Sequence, residues 1–151
     1  QKYDDAEKCL KNAIKFKSDM KEAHNDLVMV LRKKGDNESA LKVCNHALKS
    51  HDSDDTLYRN KGNILYALDK PEEAIEAFEK ALDLNPYVVD TWVNKGTVLW
   101  KAMGNREEAL AAFDKALEIN PNFMAAQDSR INLEAEIKAN RPSFFKRIFG
   151  G

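Results

Sequence analysis

Cysteine, proline and glycine are scarce in this chain of 151 residues, which holds two, four and six of them. Two cysteines, Cys9 and Cys44, cannot build the disulfide framework of a small secreted domain, and no paired Cys or His spacing suggests zinc. They point to a reducing, cytoplasmic setting. So little glycine and proline excludes a collagen-like or low-complexity chain, and no apolar run nears the roughly 20 residues that a membrane-spanning helix needs. Charge of one sign is not in excess either. With 24 basic and 25 acidic side chains the formal net charge is −1, which lacks the Lys and Arg surplus that nucleic acid asks for. An initiating Met is missing, and Gln1 to Asp5 are polar rather than signal-like, so more chain is expected before Gln1.

What is present is a repeat. Ala13, Ala47 and Ala81 recur every 34 residues and Ala116 follows 35 later; Ala6, Ala40, Ala74 and Ala109 precede them by seven, and Ile14, Leu48, Leu82 and Leu117 follow by one. Val28, Gly62 and Gly96 keep the period, as do Leu31, Leu65 and Leu99. Each unit reads as two helices. Tyr58, Ile64, Leu65 and Leu68 form one apolar stripe, and Asp69-Lys70-Pro71 interrupts it, with Pro71 in the first turn of the next helix, where its missing N–H costs nothing. Ala74, Ile75, Phe78, Ala81 and Leu82 face the core until Asn85-Pro86 ends the helix. No stretch alternates with period two, so the fold class is all-α. Gly62 and Gly96 each cost about 1 kcal/mol inside a helix. Close approach of the partner helix, with Ala74 and Ala109 as the small residues opposite, is the expected compensation.

Unit length, helix pairing and these columns resemble the tetratricopeptide repeat. Residues 55–88 fill its pattern with Tyr58, Gly62, Leu65, Ala74, Phe78, Ala81 and Pro86, and residues 89–123 with Trp92, Gly96, Leu99, Ala109, Phe113, Ala116 and Pro121, with one extra residue in the turn Met103-Gly104-Asn105. Residues 21–54 diverge, with His24, Val28, Leu31, Ala40, Cys44, Ala47 and Asp52 in those places. Residues 1–20 carry only the second helix of a unit, and residues 124–139 read as a capping helix in which Gln127, Arg130 and Ile131 replace family positions. The resemblance implies a right-handed superhelical solenoid of antiparallel helix pairs, and an array that starts in mid-hairpin implies preceding repeats or a covering chain.

It also implies an inner wall made by the first helix of each unit. The family's wall positions hold Glu22, Asn25, Asp26, Met29 and Arg32, then Thr56, Arg59, Asn60, Asn63 and Tyr66, then Asp90, Val93, Asn94, Thr97 and Trp100. Asp26, Asn60 and Asn94 share one column, similar to the asparagine ladder of peptide-binding repeats, and an amide both donates to and accepts from a peptide backbone. Arg59, Asn63 and Asn94 match three positions of the family's carboxylate clamp, but Ala125 and Ser129 fall where its other cations would be, so the charge-assisted part is mostly missing. Tyr66 and Trp100 offer amphipathic surface near the helix ends, and Trp100 is equally readable as core.

Other chemistry is thin. Lys61, Lys95 and Arg130 form a cationic column best read as solvation over apolar stems. His24, His46 and His51 lack converging ligand spacing, with Cys44 and His46 on different sides of one helix, so no metal or other cofactor is expected. Glu72-Glu73 and Glu107-Glu108 open helices, where acids suit the dipole. No catalytic motif emerges. The segment from 140 to 151 holds three of the seven phenylalanines and is basic. It suits an anionic membrane surface, a partner or a neighbour's groove, though a frayed end folded back on the cap is favoured.

The expected function is a non-catalytic scaffold that binds a protein or an extended peptide through Asn25, Arg59, Asn60, Asn63, Tyr66, Asn94, Thr97 and Trp100. Its rivals are a regulatory or targeting segment of a larger enzyme, and a module that self-associates through its truncated N-terminal end or its tail.

Overall fold

The computed structural model describes residues 2–17 and 20–140, so the basic aromatic tail from Arg141 onward lies outside the described residues. Among the described residues eight helices run in chain order: α1 Lys2–Phe16, α2 Lys21–Lys33, α3 Asn37–Ala47, α4 Asp55–Ala67, α5 Pro71–Leu84, α6 Val89–Lys101, α7 Arg106–Ile119 and α8 Met124–Ala139. No strand occurs among the described residues. The protein is an all-α helical solenoid.

Local chemistry sets the helix ends. Asp36 caps α3 by accepting from Ser39 N at 3.0 Å, and Asp54 caps α4 by accepting from Leu57 N at 2.9 Å. Asp54 is buried and also meets Lys21 Nζ at 3.0 Å, which ties the start of α2 to the start of α4. Pro71 opens α5, and α5 and α7 stop at Asn85 and Asn120, each followed by a proline. The turn inside each hairpin needs one residue with positive φ. Gly35 and Gly104 supply it in two of them, and Asp69 adopts φ 59° in the third.

Antiparallel hairpins α2–α3, α4–α5 and α6–α7 stack in sequence. Among the described residues α2 touches α4, α4 touches α6 and α6 touches α8, whereas no two of the second helices α1, α3, α5 and α7 bring Cα atoms within 8 Å. The first helices are therefore the more closely spaced row, which places them on the inner side of the curve.

The core runs the length of the stack without a break in kind. Leu27, Val28, Leu31, Ala40, Cys44, Ala47, Leu57 and Ile64 fill one end, Leu65, Ala74, Ala77, Phe78 and Val98 the middle, and Leu99, Ala109, Phe113, Ala116, Ala126 and Leu133 the other end. The helical glycines are explained differently from the sequence expectation. A Cβ on Gly62 would lie 2.6 Å from Phe78 Cε1, and one on Gly96 would lie 2.6 Å from Phe113 Cε1. The group that demands glycine is the phenyl ring of the same hairpin's second helix, not the methyl of Ala74 or Ala109.

At α1, Ala6, Leu10 and Ala13 occupy columns that are fully buried in α5 and α7, yet no residue of α1 is buried. Lys34 holds the helix at its polar edge with Nζ 2.6 Å from Asp4 and 2.7 Å from Glu7. This hydrogen bond keeps the Asp4 carboxyl at about 2 and the paired acids hold the lysine above its usual range.

Candidate functional site

All eight expected binding residues lie on the inner row: Asn25 on α2, Arg59, Asn60, Asn63 and Tyr66 on α4, and Asn94, Thr97 and Trp100 on α6. Seven are half-buried and Tyr66 is exposed. Half-burial gives a ligand fixed side chains while leaving polar atoms within reach. The stack thus makes one wall from three helices, and what each side chain can offer depends on the bonds it already makes.

Asn60 Nδ2 donates to Asn25 Oδ1 at 3.2 Å, directly across the seam between α2 and α4. One N–H of that amide is spent on the fold, and the carbonyl and the other N–H remain for a ligand. The Asp26–Asn60–Asn94 column is correspondingly uneven. Asp26 is exposed and lines a trough between α1 and α2 together with Tyr3, Leu10, Met29 and Val30, away from the Asn25–Asn60 contact. Thr97 Oγ1 donates to Val93 O at 2.8 Å, so its hydroxyl proton points back into its own helix and its oxygen is left as an acceptor.

Trp100 is committed to packing. Its Nε1 donates to Glu136 Oε2 at 2.7 Å, its ring meets Phe113 edge-on with centroids 6.4 Å apart, and Lys101 Nζ sits 3.1 Å from the ring centroid on one face. Glu136 also receives Arg106 Nη2 at 2.7 Å, and the arginine, then the indole, hold its carboxyl below the usual carboxylate range. Sequence reasoning missed Glu136 because it lies on the cap, outside the repeated columns. It also read Gln127 as a lost aromatic position, whereas Gln127 Nε2 donates to Pro121 O at 2.7 Å just as Trp92 Nε1 donates to Pro86 O at 2.8 Å. The amide replaces the indole's hydrogen bond.

Two members of the cationic column have acidic partners. Lys95 Nζ meets Glu79 at 2.8 Å and Arg130 Nε meets Asp114 at 2.7 Å, so equivalent acids of α5 and α7 pair with the first helix that follows. Arg59 has no such ion pair among the described residues. Its Nε is shielded from solvent without a hydrogen-bond partner among them, and its charge, after burial, helps push the half-buried Arg32 guanidinium below its usual range. Arg32 had stood in the wall list without a role.

The three histidines gather around buried His24, whose ring lies 6.1 Å from His46 and 6.3 Å from His51 between centroids. His24 Nδ1 donates to Met20 O at 2.9 Å. Among the described residues no group of three His, Cys, Asp or Glu side chains is arranged to hold a metal. Cys44 is buried, donates to Leu57 O at 3.1 Å, and burial pushes its thiol up to about 12, which suits packing rather than nucleophilic chemistry. No helix among the described residues is long and apolar enough to cross a membrane.

Comparison with known proteins agrees with this architecture. Family models described as "Tetratricopeptide repeat" match residues 1–55, 56–87 and 89–123. No curated protein matches the chain by sequence. Among solved structures, the crystal structure of MamA superposes with TM-score 0.81 at 22% identity, over 90% of this chain and 79% of that one. YrrB, described as a TPR protein with an unusual peptide-binding site, superposes with TM-score 0.76 at 25% identity, over 85% of this chain and 66% of that one. The first TPR of Spaghetti (RPAP3), solved with the HSP90 peptide SRMEEVD, gives TM-score 0.72 at 18% identity, over 76% and 90% of the two chains.

Proposed function

The chain belongs to the tetratricopeptide repeat family of protein-interaction modules, and on that premise we propose that it is a non-catalytic binder that holds an extended stretch of a partner along the inner face of α2, α4 and α6. The observation that carries this reading is the Asn25–Asn60 bond across the first seam. It ties two wall helices together, and the half-buried Asn60 and Asn94 stand one repeat apart with amides suited to main-chain N–H and C=O groups. Rigid helices hold those amides before the ligand arrives, so less ordering free energy is lost on binding. Tyr66, exposed at the end of α4, adds amphipathic contact area. The described peptide-binding site of YrrB, on a similar stack, lends support.

The test is a pull-down from the native source with the wild-type protein and the double variant Arg59→Ala, Asn94→Ala. Partner recovery is expected to vanish while circular dichroism stays unchanged; undiminished recovery would move the site off the inner wall.

A second reading rests on α1. Tyr3, Ala6 and Leu10 of α1, with Met29 and Val30 of α2, line a trough where the other hairpins seat a first helix. Self-association through that trough would appear as a concentration-dependent sedimentation coefficient that Leu10→Glu abolishes.

A further inference from the structure

The outer side of the stack, away from the wall of α2, α4 and α6, changes character at its first seam. In the column that holds Glu79 on α5 and Asp114 on α7, α1 carries Lys11; in the column that holds Lys95 on α6 and Arg130 on α8, α2 carries Leu27. The ion pairs that join those columns at the later seams cannot form between α1 and α2. Lys11 turns instead to Glu7 of its own helix, a carboxylate that it shares with Lys34. Because α1 and α3 bring no Cα atoms within 8 Å of each other, the furrow between them is open down to α2.

A pocket of about 270 Å³ lies in this furrow. Ile14, Leu27 and Val43 give it an apolar floor beside buried His24, and Lys11, Lys42 and His46 stand exposed around it; no acid among the described residues lines it. The pocket one repeat on has the opposite character. There Lys61 takes the place of Leu27, Glu76 takes the place of Lys42, and Glu73, Glu79 and Asp83 add further negative charge.

The first pocket falls below the roughly 300–1,000 Å³ that encloses a small ligand, and its size suits one or two apolar side chains. An apolar floor beneath a cationic rim asks for an apolar knob ringed by acids, which a flat lipid surface does not present. A furrow between two helix ridges is the shape into which a third helix packs. Burial of the knob supplies the free energy, the lysine heads select the sign of the flanking charge, and the lysine stems extend the apolar contact. We propose that the α1–α3 furrow docks an acidic amphipathic helix of a partner protein, with an apolar side chain seated over Leu27 and carboxylates about one turn away beside Lys11 and Lys42. This surface is separate from the inner wall, so it stands or falls independently of the reading above.

The experiment applies three pools of lactam-stapled fourteen-residue helices to the immobilised full chain. The first carries a Leu or Phe stripe flanked by Asp and Glu, the second the same stripe flanked by Lys and Arg, and the third the acidic flanks with Ser in place of the stripe. Retention of the first pool is expected to exceed that of either other by about tenfold or more. Lys11→Glu with Lys42→Glu, which imports the residues that stand in these columns at Glu79 and Glu76, should remove most of that excess with circular dichroism unchanged. Lys42→Glu alone leaves the Lys11–Glu7 pair intact and should remove part of it. The inner-wall variant Arg59→Ala, Asn94→Ala should retain the first pool as the wild type does. Equal retention of the three pools, retention of none, or an acidic preference that survives the Lys11, Lys42 double variant overturns the proposal. So does loss of the first pool in the inner-wall variant, which would place those helices on the other face. Vesicles of phosphatidylserine and phosphatidylcholine should sediment equally with the wild type and the Lys11, Lys42 double variant; binding to them that the double variant abolishes would assign the furrow to a membrane instead and overturn the protein partner.

Discussion

In hairpins α4–α5 and α6–α7 a bare stretch of backbone at Gly62 or Gly96 lies beneath a buried phenyl ring; in α2–α3 the same two columns hold Val28 and Cys44, both fully buried. The bulk has moved from the second helix to the first, and the summed volume stays similar. The seams differ in parallel. α5–α6 and α7–α8 each carry an ion pair from an acid at one column, whereas Asn45 stands in that column at α3–α4 and the thiol of Cys44 bonds to Leu57 O instead. One backbone scaffold therefore accepts two fillings, provided each column changes together with its partner. A repeat that departs from the family pattern at two linked columns is a coordinated alternative rather than a decayed copy.

The sharpest way to break that comparison is to empty the ring site. Phe78→Ala is expected to cost about 3–5 kcal/mol in urea unfolding, since neighbouring helices cannot collapse fully into the cavity, while Cys44→Ala should cost well under half as much. Gly62→Val drives a Cβ into the Phe78 ring and should destabilise by about 1–3 kcal/mol. Combined with Phe78→Cys, which imports the α2–α3 filling, it should recover part of the sum of the single losses, with a coupling of about 0.5–3 kcal/mol. Strict additivity of the two changes would mean that the columns are independent.

The cap sharpens the same comparison through pH. The Glu136 carboxyl is depressed by Arg106 first and Trp100 second, so the stabilisation it supplies is present above the ordinary carboxylate range and is lost as pH falls through the depressed value. Trp100 fluorescence should change below about pH 4.5 before global unfolding, and Glu136→Gln should remove that early phase. An unaltered phase in the variant would place its origin elsewhere.

The smallest effect concerns the hairpin turns. Asp69 holds the positive φ that glycine supplies in the other two, so Asp69→Gly should stabilise by no more than about 1 kcal/mol, read as a shift in the urea midpoint. Destabilisation would show that the aspartate side chain contributes more than its backbone strain costs.

Helix existence and most of the core were legible because periodic columns average over accidents: a misplaced residue in one unit is corrected by the other units. The partners of individual side chains were not legible in the same way. The ring over Gly62 comes from a rotamer of Phe78 that no spacing specifies, and the indole N–H of Trp100 is taken by Glu136, which belongs to no repeated column. Gln127 conceals a conserved hydrogen-bond geometry behind a change of residue type, and only the carbonyl it reaches reveals the equivalence. Arg32 and Arg59 sit in different columns of successive units, so a comparison down columns never sets them side by side. Only the seating of one hairpin on the next brings the charge of Arg59 to bear on Arg32.

Contact restricted to nearest neighbours along the stack has an evolutionary corollary. Excising or duplicating a whole hairpin deletes or adds one seam and regenerates an equivalent one, without opening a void in the middle of the molecule. The binding track of such a protein can therefore grow or shrink by gene rearrangement in discrete modules, each bringing its own recognition groups, while the ends keep the same finish.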